Sequence, residues 1–92
     1  MNDQGPTLAD LPVGAEATVV DVACPRGVAR RLMEMGLLPG TRVRVVRVAP
    51  LGDPIELRLR GYSLSIRRRE AAGVRLGDVR EAAAVAAAEA IS

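Results

Sequence analysis

The residues best suited to recognition chemistry fall in one short stretch. Arg30, Arg31 and Glu34 carry charge at helical spacing, and Met35, Leu37, Leu38 and Pro39 follow at or beside a turn. Guanidinium forks grip carboxylates through paired hydrogen bonds, and apolar side chains at a turn can seat in a partner's pocket. The stretch therefore offers charged and apolar docking rather than bond making. Leu51, held between Pro50 and Gly52, places another apolar side chain at a loop tip. The competing role for Leu37, Leu38 and Leu51 is to plug the ends of the fold.

Reactive groups are few. The 92 residues include no His and a single Cys, which removes the commonest general base and the commonest metal ligand together. No zinc or iron-sulfur ligand set of ordinary type remains. Asp53 lies in a loop between prolines, Glu34 has Arg30 four residues before it, and Glu56 sits on an arginine-lined strand face. Each is explained as a solvated or paired charge. No pair of carboxylates is spaced for hydrolysis, and no nucleophile elbow or phosphate-cradling glycine loop occurs. Cys24, just before Pro25 at the foot of a helix, is read as a small buried hydrophobe. We expect no catalytic residue, no metal site and no cofactor.

Ninety-two residues suit one hydrophobic core. With no Trp, no Phe and one Tyr, Val, Leu, Ile, Ala and Met must fill it, and a folded part of ordinary stability is worth about 4 to 11 kcal/mol. All thirteen cations are Arg, against eleven acids, for a net charge of +2. The signs are interspersed, so charge alone does not imply nucleic acid. The lone cysteine cannot close an intramolecular disulfide, and the polar opening at residues 1–6 lacks a signal-peptide pattern. Both point to a cytoplasmic location. No apolar run approaches the length of a membrane span.

Short elements must position these groups. Thr7 caps one helical turn that ends at Pro12 and Gly14, and Glu16 to Val22 form a half-buried strand in which Glu16 and Thr18 alternate with Ala17 and Val19. From Gly27 to Met35 the period changes. Val28, Leu32 and Met35 share one face while Arg30, Arg31 and Glu34 take the other, giving a short amphipathic helix that Gly36 terminates. Arg42 to Val48 alternates except at Val45 and Val46, where a bulge is expected. Ile55, Leu57 and Leu59 mark a third strand, and Tyr62, Leu64 and Ile66 a fourth beyond the turn at Gly61. Arg68 to Gly73 is one turn, and Val74 to Leu76 a short closing strand.

Five short alternating strands joined mostly by tight turns predict an all-β, SH3-like small barrel with one amphipathic helix over an open end. A barrel of the oligonucleotide-binding type, with longer strands, is the nearest competitor. The barrel is expected to occupy residues 1–77. Residues 78–92 form an Ala-rich tail with Asp78 placed as a helix cap and Glu81 three residues later, helical or mobile.

Three blocks carry a resemblance: Arg31 through Gly40, Ala49 through Ile55, and Ser65 through Ala71. In order and spacing, from about Leu8 to Leu76, the chain resembles the FeoA family. The resemblance implies a small cytoplasmic accessory protein of ferrous iron uptake, acting by contact with FeoB, the membrane permease with a GTPase domain. It would be peripheral to the membrane only through that partner, with no nucleic acid bound and with a homo-oligomer open to it. The expected partner-binding residues are Arg30, Arg31, Glu34, Met35, Leu37, Leu38, Pro39 and Leu51. The alternatives are a nucleic-acid-binding barrel using the strand arginines, the stand-alone SH3-like domain of an iron-dependent transcriptional regulator, or an iron carrier using scattered carboxylates.

Overall fold

A computed structural model describes residues 5–91, so the first four residues of the polar opening and Ser92 lie outside the described residues. Thr7 precedes a one-turn 3-10 helix, Leu8–Asp10, and its N–H donates to the Asp10 carboxylate at 3.1 Å. Five antiparallel strands follow in one sheet: β1 Glu16–Val22, β2 Arg42–Val48, β3 Ile55–Leu59, β4 Tyr62–Ile66 and β5 Val74–Arg80, in the order β4-β3-β2-β1-β5. Helix α1, Arg26–Glu34, joins β1 to β2, α2, Arg68–Ala71, joins β4 to β5, and α3, Ala82–Ile91, follows β5. This is the small SH3-like β domain expected from the alternation.

Alternation sets one core. Ala17, Val19, Val43, Val45, Ile55, Leu57, Leu59, Ile66, Val74 and Leu76 point inward from the strands and join Leu8, Leu11, Leu32 and Leu37 in one buried cluster. The β2–β3 register shifts between Val45 and Arg47, where the parity break sits, and β1–β5 shifts twice. Each shift adds a residue to one strand and bends it, which is how so small a sheet wraps around its core.

Two expectations at the end of β5 are corrected, the point where the strand stops and the role of Asp78. The closing strand does not stop at Leu76: it continues to Arg80, which pairs with Glu16. Asp78 is therefore not a helix cap. It adopts a left-handed conformation, φ 50°, inside β5, and Arg42 holds both its backbone carbonyl (3.1 Å) and its carboxylate (3.0 Å). The tail beyond is a formed helix whose Val85 is only 7% exposed. A strand partner and a docking face, neither visible locally, override the local signals.

Candidate functional site

The end of α1 decides which expected recognition residues reach solvent. Gly36 has φ 113°, the left-handed region where glycine is favoured. Its N–H donates to the Met33 carbonyl at 3.0 Å, and the Leu37 N–H donates to the Leu32 carbonyl at 3.1 Å. This pair of bonds closes a helix with a left-handed residue, and it brings the residue after the glycine back onto the last turn. Leu37 accordingly lands on Leu32, and both are fully buried. Leu37 is thus withdrawn from the expected partner surface: it is a core residue. Met35 is half-buried against the same core, and its carbonyl accepts a hydrogen bond from the Tyr62 hydroxyl.

What remains outside forms a groove. Arg26, Ala29, Arg30, Met33, Glu34 and Leu38 line an open depression of about 600 Å³ on the solvent face of α1. Met33 and Leu38 are 38% and 37% exposed, giving the floor two large apolar side chains. Arg30 and Glu34 form an ion pair across one helical turn at 3.6 Å. Of the expected set, the structure brings together Arg30, Glu34 and Leu38.

The others diverge. Arg31 turns to α2 and donates to the Glu70 carboxylate. Pro39 is exposed beyond the groove lining. Leu51, 97% exposed, stands on the β2–β3 loop, which is tied to α2: the Arg68 side chain donates to the Gly52 carbonyl at 2.8 Å, and the Arg68 N–H donates to Asp53 at 2.9 Å. Sequence reasoning missed Arg26, Ala29 and Met33. Their signal was positional, since residues 26, 29, 30 and 33 stack on one helix face at spacings of three and four, yet Met33 sat as one apolar residue among charges.

Several of the remaining polar groups have partners. Arg42 pairs with Glu16 (3.7 Å) and Asp78, Arg44 with Glu89, and Arg47 with Glu56 (2.8 Å). Much of the strand arginine charge that phosphate contacts would need is thus directed at carboxylates. Cys24 is half-buried beside α2, its thiol donating weakly to the Glu70 carbonyl at 3.5 Å. Burial, and then the Glu70 charge, push that thiol above its usual pKa, so the reactive thiolate is disfavoured. Among the described residues, no three of His, Cys, Asp and Glu gather as a metal site, and no helix is long and apolar enough to cross a membrane.

Comparison with known proteins places this geometry. The model of the FeoA domain matches residues 7–76. A fusion protein of Porphyromonas gingivalis (strain ATCC BAA-308 / W83), named for Fe(2+) transport protein A and the Fe(2+) transporter FeoB, is 43% identical over 68 residues, which is 73% of this chain and 8% of that protein. The solution structure of FeoA from Chlorobium tepidum superposes with a TM-score of 0.73 at 45% identity, covering 77% of this chain and 68% of that one. The zinc complex of FeoA from Stenotrophomonas maltophilia, described as a prokaryotic SH3 domain protein, gives a TM-score of 0.74 at 28% identity over 85% of this chain and 99% of that one. From the matched domain, these relatives and the shared small-barrel architecture, the chain belongs to the FeoA family, a family linked to ferrous iron transport.

Proposed function

We propose that this chain is a cytoplasmic accessory protein of ferrous iron uptake that works by touching a FeoB-type permease, with the α1 groove as its docking site. The observation that carries the reading is the relative in which a similar segment and a FeoB transporter are one polypeptide. Covalent linkage raises the effective concentration of one module at the other, a gain that matters when the two act in contact.

The groove has the composition of an interface patch, with an apolar floor and a charged rim. Met33 and Leu38 supply area for a partner's apolar side chain, while Arg26 and Arg30 select for nearby carboxylates. The carboxylates considered for other chemistry are occupied: Glu34 by Arg30, Asp53 by the Arg68 N–H, and Glu56 by Arg47. Contact rather than catalysis is the mechanism this supports.

The test is co-purification of the chain with its permease, together with cellular Fe(II) uptake, for Met33→Asp and Leu38→Asp. Both side chains are exposed, so the variants should melt like the parent while losing association and uptake. Retained association in two folded variants would remove the groove from the proposal.

A further inference from the structure

Helix α3 lies outside the matched domain, and its ion pair with Arg44 and the depression it lines with Glu16, Thr18 and Arg42 put it against the outward face of the sheet. That face carries one continuous cross-strand row, Arg80, Glu16, Arg44, Arg58 and Ser63, running from β5 through β1, β2 and β3 to β4. Within it Arg44 and Arg58 stand directly opposite each other. Like charges so placed repel, and the structure answers with a carboxylate from above: Glu89 of α3 pairs with Arg44.

The seating of α3 is loose. Among the described side chains of α3, Val85 is the buried apolar contact, and Ala82 reaches Gly14, where a Cβ would lie 2.9 Å from that of Ala82. Beside Val85, an open depression of about 340 Å³ is lined by Ala84 and Ala88 of the helix and by Glu16, Thr18, Arg42, Asp78 and Arg80 of the sheet. Alanine side chains are too short to fill it. A helix of ten residues is also too short to persist unaided in water, so α3 holds its form through this docking.

We propose that α3 is a displaceable self-ligand, and that the face beneath it is a second docking site, for an acidic amphipathic helix of a partner protein. The bound α3 specifies the chemistry of the competitor. It needs an apolar residue where Val85 sits and a carboxylate four residues later over Arg44. Bulkier apolar side chains where α3 has Ala84 and Ala88 would occupy the space that α3 leaves. This site lies on a different face from the α1 groove and does not depend on it.

The experiment uses the full chain and a labelled synthetic peptide of residues 81–92 carrying Ala84→Leu and Ala88→Leu. Val85→Asp should undock α3 while leaving the melting of the β domain unchanged, and the peptide should then bind about tenfold more tightly than to the native chain, as expected if α3 covers the face about nine-tenths of the time. Binding should weaken between about 50 and 500 mM salt as the charges are screened. It should be lost when Arg44→Glu and Arg58→Glu are added to Val85→Asp. In the native chain, Ala84→Leu with Ala88→Leu should lock α3 down, slow its amide exchange and exclude the peptide.

Absence of saturable binding to the Val85→Asp chain would overturn the proposal, as would equal binding to both chains or indifference to the arginine reversals. A native dimer that Val85→Asp converts to monomer would also overturn it, by assigning the face to a second copy. Because none of these readings involves Met33, Leu38 or iron uptake, failure here is distinct from failure of the α1 groove.

Discussion

Arg75 holds Asp21 with two nitrogens across the β1–β5 pair: Nε donates to Oδ1 at 2.9 Å, and a terminal guanidinium nitrogen donates to Oδ2. The two residues are direct cross-strand partners at the place where the register has just shifted. The fork pins that register, because a further slip would carry Arg75 away from the carboxylate.

This contact makes stability depend on acid. The Arg75 hydrogen bond outweighs the opposing desolvation and, with a smaller contribution from the Arg75 charge, holds the Asp21 carboxyl below the usual carboxylate range. A carboxylate with a depressed native pKa contributes stability above its unfolded pKa and loses it as pH falls through the native value. Asp21→Asn should therefore lower the denaturation midpoint at neutral pH, with the gap to the parent closing below about pH 4. Urea melts across that range measure it; a gap independent of pH would exclude the charge as its source.

Leu37 and Leu51 should respond oppositely to truncation. Leu37 is fully buried against Leu32, so Leu37→Ala leaves a cavity and should cost about 2 to 5 kcal/mol. That is a large share of the total stability of a domain this size. Leu51 is 97% exposed, and Leu51→Ala should stay within about 0.5 kcal/mol of the parent. Chemical denaturation of both variants checks the assignment, and similar losses would contradict it.

The alternation of Ile55, Leu57 and Leu59 with Glu56, Arg58 and Arg60 made β3 legible, and the doubled valine at Val45 and Val46 marked the β2 bulge, because both signals are local. The far end of β5 was hidden for the opposite reason. Gly77 and Asp78 are turn-type residues by themselves, and pairing of Arg80 with Glu16, plus the grip of Arg42 on Asp78, holds them in a strand. Leu37 followed the same logic: the helix stop at Gly36 was readable and left two roles for the leucine after it, partner contact or a plug in the end of the fold, and the bond from the Leu37 N–H back to the Leu32 carbonyl selects the plug. Met33 escaped because one apolar residue among Arg30, Arg31 and Glu34 leaves the helix face polar on average.

Gly36 and Tyr62 form a coupled pair. A Cβ at position 36 would collide with the Tyr62 hydroxyl, and the ring carbon bearing that hydroxyl would lie 3.4 Å away. Gly36→Ala should thus suffer twice, from the hydroxyl and from φ 113°, a conformation that side chains resist. Tyr62→Phe alone loses one hydrogen bond to the Met35 carbonyl, worth about 0.5 to 1.5 kcal/mol. In the double variant the collision is gone and the backbone strain stays, so the combined loss should be smaller than the sum of the single losses. A double-mutant cycle by urea denaturation measures this, and strict additivity would show that the two positions do not meet.

Cys24 should be sluggish toward electrophiles. The thiolate is the nucleophile, and burial together with the Glu70 charge raises the native thiol pKa. Iodoacetamide at neutral pH should therefore label the native chain more slowly than the urea-unfolded chain. The same shift has a stability counterpart. A native thiol that holds its proton more tightly than the unfolded one contributes stability below the unfolded pKa and loses it as pH rises through the native value. The parent should consequently weaken more than Cys24→Ala between about pH 8 and pH 10. Rapid labelling of the folded chain at neutral pH would mean that the thiol is neither shielded by Val28 and Pro25 nor opposed by Glu70, and the cleft these residues line with Arg69 would then be open to reactive ligands.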